Sequence, residues 1–233
     1  MKLLYEGKAK QLFECEDPNQ IYVHYKNSAT AFNGVKKEEF EQKGVLNNSI
    51  TSLIFDYLAK NGVKTHFIKK VNDTDQICQH VQIVPLEVII RNIVAGSMAT
   101  KYGIEEGRVL AKPVFELSYK NDALNDPLIN NDHAVALGIV SESELEDIKQ
   151  QALKINELLK ALFLKANLTL VDFKIEFGKT KDGEIILADE ISPDTCRLWE
   201  VGTQEKLDKD RFRRDLGGVM DAYREVLRRL ENV

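Results

Sequence analysis

Residues 170–178, LVDFKIEFG, and 184–199, EIILADEISPDTCRLW, hold the densest set of side chains able to do chemistry. In an extended strand alternate side chains face the same way. Asp172, Lys174 and Glu176 then share one face, and Val171, Phe173, Ile175 and Phe177 take the other. A turn on Lys181, Asp182 and Gly183 returns the chain into a second apolar strand that ends at Asp189 and Glu190. Such a hairpin brings Glu176 and Asp189 together with Lys174 beside them. Two hard carboxylates next to a lysine suit a divalent cation carrying phosphates, because magnesium takes one or two carboxylates and fills its shell with phosphate oxygens and water. The exposed face of an ordinary antiparallel hairpin has the same alternation, and spacing alone does not separate the two readings.

Other residues offer anion-binding chemistry. Gly7, Lys8, Ala9 and Lys10 lie between two extended segments. Glycine permits close backbone approach, and lysines two positions apart project from one side of an extended chain toward phosphates. The P-loop spacing G-x-x-x-x-G-K-[ST] is absent, and lysine-rich turns are commonly only solvated. Arg91 ends a hydrophobic run and is followed by Ala95, Gly96 and Ser97, so a guanidinium, a hydroxyl and backbone amides can cradle an anion. Its bland equivalent is a strand-to-helix turn with an exposed arginine. Arg197, after Ser192-Pro193-Asp194-Thr195, is either a second phosphate clamp or a surface ion-pair partner. Lys120, Asn121, Asp122, Asp126 and Pro127 punctuate a loop. His24, His66, His80 and His133 are scattered without H-x-x-x-H spacing and read as structural or exposed.

The elements that must position these groups follow from periodicity. Residues 2–6, 10–15 and 20–26 read as short strands, and 27–34 (NSATAFNG) as a loop without an element. A helical stripe over 45–60 closes at Asn61-Gly62. Residues 65–71, 81–92 and 114–119 read as extended, with Pro85 at an edge, bend or linker. Ser141 and Glu144 make a capping-box pattern at the head of a helix over 141–166. A last helix is expected over 209–231, burying Phe212, Leu216, Val219, Tyr223, Val226 and Leu230. Strands followed by helices, twice over, give an α+β class in two lobes. The junction falls at Pro85, with a mainly antiparallel β lobe and one helix in 1–84 and an α+β lobe in 85–233.

Composition narrows the function classes. The 233 residues are 43% hydrophobic and 30% charged, with a net charge of -5, so there is no overall basic footprint for nucleic acid. Arg211, Arg213 and Arg214 form one local basic cluster. Cys15, Cys78 and Cys196 are odd in number and lack C-x-x-C spacing, which points to a reducing compartment rather than disulfides or cysteine-bound zinc. No apolar run suits a signal peptide or the ~20 residues of a membrane span. The expectation is a soluble, cytoplasmic protein.

Taken in order, the segments YEGKAK, KGVLNNSI, PLEVIIRNIVAGS, YKNDALNDP, LVDFKIEFG, DEISPDTCRLW and LDKDRFRRDLGG resemble the SAICAR synthetase family of purine biosynthesis nearly end to end. The resemblance implies two α+β lobes with antiparallel sheets flanked by helices and ATP in the cleft between them. It implies an ATP-dependent ligase that activates the carboxylate of carboxyaminoimidazole ribonucleotide as an acyl phosphate. The amino group of L-aspartate then attacks, giving SAICAR, ADP and phosphate. Phosphoryl transfer relies mostly on positioning and charge neutralisation, so lysines and metal-bound carboxylates are the expected parts.

Carried over by position, the resemblance assigns Lys8, Lys10, Lys120 and Lys174 to ATP and Glu176 with Asp189 to Mg2+. The backbone at Val84 and Leu86 would meet adenine in an inter-lobe hinge. Arg91, Ser97 and Arg197 would hold the ribonucleotide phosphate, and Asp126, Lys209 and Arg213 would line the substrate site. Lys174 doubles as a catalytic group; the resemblance does not give the base for the aspartate ammonium, for which Asp172, Asp210 or an acyl-phosphate oxygen are the candidates. Several family members form dimers, so the resemblance implies a homodimer. Family members often carry aspartate where Asn27 or Asn33 stands here, so the 27–34 loop receives no charged role. A phosphotransferase acting on a small-molecule hydroxyl, or a nucleotide sensor without catalysis, would use the same lysine-plus-carboxylate layout. The protein-kinase HRD and DFG sequences are missing.

Overall fold

The structure is a computed structural model that describes residues 1–32 and 34–233. Asn33 lies outside the described residues. The chain opens with β1 (Leu3–Glu6), β2 (Lys10–Glu14) and β3 (Gln20–Tyr25), antiparallel neighbours in the order of the sequence. The loop expected at 27–34 instead holds β4 (Ser28–Ala31), which pairs with β5 (Lys36–Glu39) in a separate hairpin. Ala29 and Ala31 are buried there with Leu46, Phe212 and Tyr223, and side chains this small leave little trace in a hydrophobic period.

Helix α1 (Lys43–Lys60) leads to β6 (Phe67–Lys70) and β7 (Asp75–Gln79), completing a five-stranded sheet in the order β1-β2-β3-β7-β6. Strand β7, DQICQ, escapes sequence reading because its buried polar groups find tertiary partners. Asp75 accepts from the Tyr22 hydroxyl at 2.8 Å, and the Gln76 amide donates to the Tyr25 hydroxyl at 2.9 Å.

The remaining elements are β8 (Gln82–Ile93), α2 (Gly96–Tyr102), β9 (Val109–Tyr119), β10 (Leu128–Ile129), α3 (Asn131–Ala136), α4 (Glu142–Lys165), β11 (Leu168–Lys179), β12 (Ile185–Ala188), β13 (Cys196–Glu200), α5 (Asp210–Arg213) and α6 (Val219–Leu230). They build a six-stranded sheet ordered β10-β9-β8-β11-β12, with β13 also on β11. Strand β11 is the centre of this antiparallel sheet. It keeps β8 along one side and shares the other between β13 and β12. Where β13 stops and β12 has not yet begun, the Lys174 N–H donates to the Thr195 carbonyl at 2.8 Å. The 189–195 connection therefore crosses β11 beside the face that carries Lys174 and Glu176.

The opposite face of β11 is core. Phe173, Ile175 and Phe177 pack with Ile148, Ala152, Ile155 and Leu159 of α4, all nearly or fully buried. Each large side chain so buried contributes about 1.5–3 kcal/mol. Both halves of the Ser141–Glu144 capping box are present, and helix α4 runs as the pattern predicts. Pro85 sits inside a central strand, at a bend where the β8–β11 register shifts, and its carbonyl accepts from the Lys120 N–H at 3.1 Å. The single helix expected over 209–231 is two helices. Gly217 and Gly218 adopt φ of 70° and 60° between them, conformations that end a right-handed helix, and Leu216 is 48% exposed rather than core. The class is α+β with antiparallel sheets, as expected.

Candidate active site

A cleft of about 750 Å³ lies along the polar face of β11. Lys174 and Glu176 come from β11, Lys8 from the β1–β2 turn, Lys10 from the first position of β2, and Asp189 from just past the end of β12. Lys174 Nζ is 2.6 Å from Glu87 Oε1 and 3.2 Å from Glu176 Oε1. Lys120 Nζ reaches the same Glu176 oxygen at 2.8 Å. Lys10 hydrogen-bonds Asp189 and lies 3.1 Å from Glu190. Lys8, more exposed, pairs with Asp122 at 2.7 Å.

Burial works against the charged amines of Lys174 and Lys10. The surrounding carboxylates outweigh it, and both pKa values stand above the ordinary lysine value. Asp189 is the converse: burial favours its acid form, but Lys10, Lys174 and Lys120 hold the carboxyl well below the usual range. The lysines are therefore cationic and Asp189 anionic at neutral pH. Among the described residues, no group of three or more His, Cys, Asp or Glu is gathered as a self-sufficient metal site. Glu176 and Asp189 supply two carboxylates instead, which fits Mg2+ arriving with phosphates that complete its shell.

Beside this cleft is a network of arginines and carboxylates. Asp172 of β11 stands opposite Arg91 of β8 and Arg197 of β13 in the ladder. Its carboxylate accepts from Arg91 Nη1 at 2.9 Å and from Arg197 Nη1 at 2.9 and 3.2 Å. Arg91 also donates to Glu116 at 2.8 Å and to the Ser97 hydroxyl at 3.2 Å. Asp210, at the head of α5, accepts from Arg197 Nε at 2.9 Å and Arg213 Nη1 at 2.7 Å.

Arg213, Lys209 and Asp126 line the cleft, whereas Arg91, Ser97 and Arg197 are not among its lining residues. Asp172 and Asp210, the carboxylates expected as candidate bases, are both engaged by arginines. Asp172 is clamped by two guanidiniums. Although burial favours the acid form of Asp210, Arg197 and Arg213 hold its carboxyl below the ordinary value.

Val84 and Leu86 turn their side chains into the core, 3% and 1% exposed, so any contact they make with a base is through the backbone. Asp126 accepts the Asn121 N–H at 2.8 Å and thereby shapes the loop behind Lys120. Lys209 lies 3.9 Å from Asp194, and burial pulls its pKa below the ordinary lysine value.

Sequence reading missed several neighbours. Glu87 partners Lys174, and its place emerges only from the β8–β11 register, which sets it opposite Glu176. Asp194 on the cleft is held by the buried Lys43 at 2.6 Å and by the Tyr223 hydroxyl at 2.6 Å. His66 also lines the cleft, and burial, with Lys10 nearby, pulls its imidazole down to about 4, so it is neutral at physiological pH.

The family model described as SAICAR synthetase matches residues 3–230. The phosphoribosylaminoimidazole-succinocarboxamide synthase of Clostridium perfringens (strain SM101 / Type A) is 60% identical over 232 residues, covering 100% of this chain and 98% of that protein. The crystal structure of the synthase of that name from Ehrlichia chaffeensis superposes with a TM-score of 0.97 at 43% identity, covering 100% of this chain and 99% of the other. A SAICAR synthetase solved in complex with ADP gives a TM-score of 0.96 at 46% identity, covering 100% and 98%. The chain belongs to the SAICAR synthetase family.

Proposed function

We infer that the chain is an ATP-dependent ligase of purine biosynthesis, joining L-aspartate to the carboxylate of carboxyaminoimidazole ribonucleotide with release of ADP and phosphate. The observation that carries this reading is the convergence of Lys10, Lys120 and Lys174 with Glu176 and Asp189 on one cleft face. A carboxylate is a poor electrophile, and phosphorylation gives it a leaving group that the aspartate amine displaces. Lys10, Lys120 and Lys174, each now neutralised by a carboxylate, can turn toward phosphate oxygens and offset the charge that develops during transfer. Glu176 and Asp189 would hold Mg2+, which would supply charge neutralisation at the phosphates. Arg213 and Lys209 face the cleft and suit the anionic substrates, while Asp172 and Asp210 orient Arg91 and Arg197 toward the ribonucleotide phosphate.

We take the lobes to be residues 1–84 and 85–233, with the nucleotide against the backbone near Val84 and Leu86. Among the described residues no helix is long and apolar enough to cross a membrane, and a cytoplasmic homodimer is the expected state, checked by sedimentation. The deciding assay is ADP release with carboxyaminoimidazole ribonucleotide, L-aspartate, ATP and magnesium, each omitted in turn. A requirement for all four, with a product heavier by the aspartyl group, supports the ligase. ADP release that ignores aspartate points to a phosphotransferase or ATPase instead.

A further inference from the structure

Asp189 adopts φ 63°, in the left-handed region, although it has a side chain. Aspartate enters that region more readily than most L-residues, and neighbouring contacts hold it there. The segment just before β6 supplies the neighbours. Leu187 donates its N–H to the Lys64 carbonyl at 3.1 Å and accepts the His66 N–H at 2.8 Å, in a short parallel bridge at Thr65. His66 Nε2 then meets the Asp189 carbonyl at 3.1 Å, which makes Nε2 the protonated nitrogen, because a carbonyl only accepts. The His66 carbonyl accepts the Gln79 N–H at 2.6 Å, tying the same residue to β7 of the other sheet. Phe55 holds the ring edge-on, with centroids 5.8 Å apart.

The second ring nitrogen is telling. His66 Nδ1 is buried and meets no hydrogen-bond partner among the described residues. A buried orphan nitrogen is a destabilising feature, and a phenylalanine would fill the same space beside Phe55 without it. The histidine is therefore explained by what Nε2 does, namely fasten the backbone of Asp189.

We propose that His66 is a positioning residue for Asp189. It fixes the left-handed turn from which the Asp189 carboxylate enters the cleft, and so sets how well that carboxylate serves a divalent cation bound with a nucleoside diphosphate or triphosphate. This rests on the assignment of Asp189 to the cation in the proposed function. The test is calorimetric binding of ADP with and without magnesium, a readout independent of turnover.

Three variants are compared with the unsubstituted chain. His66→Phe keeps the ring and loses the donor. In His66→Gln the amide nitrogen reaches the place of Nε2, and in His66→Asn it falls short. Loss of a group that orients a metal ligand weakens metal affinity by about 10–100-fold. The magnesium-dependent gain in ADP affinity is accordingly expected to shrink by about tenfold or more in His66→Phe and His66→Asn. His66→Gln should restore most of it, while ADP affinity without magnesium stays near that of the unsubstituted chain in all three.

A merely structural histidine would lower the melting temperature in every variant and leave the magnesium-dependent gain intact, which overturns the proposal. If His66→Phe does not fold, the Gln and Asn pair decides, and equal magnesium dependence in those two also overturns it. If the unsubstituted chain binds ADP with no dependence on magnesium, the cation assignment of Asp189 fails first and the positioning role falls with it.

Discussion

Glu87 and Glu176 stand directly opposite one another across the β8–β11 ladder, with Lys174 between them. Lys174 Nζ lies 2.6 Å from Glu87 and 3.2 Å from Glu176. Like charges directly opposite in a sheet destabilise it, so Lys174 neutralises the pair while poised over the cleft. Lys174→Met removes that charge and is expected to cost about 1 kcal/mol of stability at neutral pH. Turnover should fall much further, by about 100–1,000-fold, the usual effect of deleting one preorganised charge stabiliser. ADP release and chemical denaturation measured on one preparation separate the two effects. A folded Lys174→Met protein with near-normal turnover would remove Lys174 from the chemistry.

Asp172 offers a different test, because the sequence offers it as a base while its carboxylate is held by two arginines. Its carboxylate serves Arg91 and Arg197 at once, and breaking a buried ion pair from one side costs about 3–5 kcal/mol. Asp172→Asn keeps the shape and some of the hydrogen bonding, so the lower end of that range is expected. KM for the ribonucleotide should rise as the two guanidiniums lose their common partner, while the pH–rate profile keeps its shape. Loss of a limb of that profile would restore Asp172 as a base.

The parts of the site that were legible in the sequence are those written in a local period. Asp172, Lys174 and Glu176 alternate with Phe173, Ile175 and Phe177, and that pattern survives because one face of β11 is core while the other carries the cleft and the arginine network beside it. Glu87 was illegible, since its place depends on a register that shifts where Pro85 bends the strand. The role of His66 was equally hidden, because its partner is a backbone carbonyl 123 positions away. Strand β4 failed to register because Ala29 and Ala31 are too small to mark a face. Leu216 fits the helical period, so the sequence predicts one C-terminal helix where Gly217 and Gly218 interrupt it.

Asp208 predicts a pH dependence of stability. It is fully buried, accepting the Leu198 N–H at 2.8 Å and the Asp210 N–H at 2.7 Å. Burial, reinforced by the charge on Asp210, raises its carboxyl from 3.8 to about 7. Between those values the folded chain keeps a proton that the unfolded chain has released, so this group makes stability fall as pH rises through the window and adds no slope above it. Asp208→Asn is expected to flatten that decline. Urea denaturation at intervals from about pH 4 to pH 7 measures it, and an unchanged slope would show Asp208 to be ionised throughout.

Gly96 links backbone geometry to anion binding. Its φ of 52° lies where L-residues are strained, and an added Cβ would stand 2.3 Å from Arg197 Nη2 and 2.7 Å from Arg197 Cζ. Gly96→Ala therefore carries a backbone cost of roughly 1–2 kcal/mol and in addition displaces the guanidinium from its place beside Asp172 and Asp210. The Lys10, Lys120 and Lys174 side of the cleft is anchored on other elements and is left alone. The expected result is selective: KM for the ribonucleotide rises by about tenfold, equivalent to about 1.4 kcal/mol, while ADP affinity measured by calorimetry stays within about twofold. An equal loss of affinity for both ligands would mean that the substitution disturbs the whole cleft and that Arg197 does not act on the ribonucleotide alone.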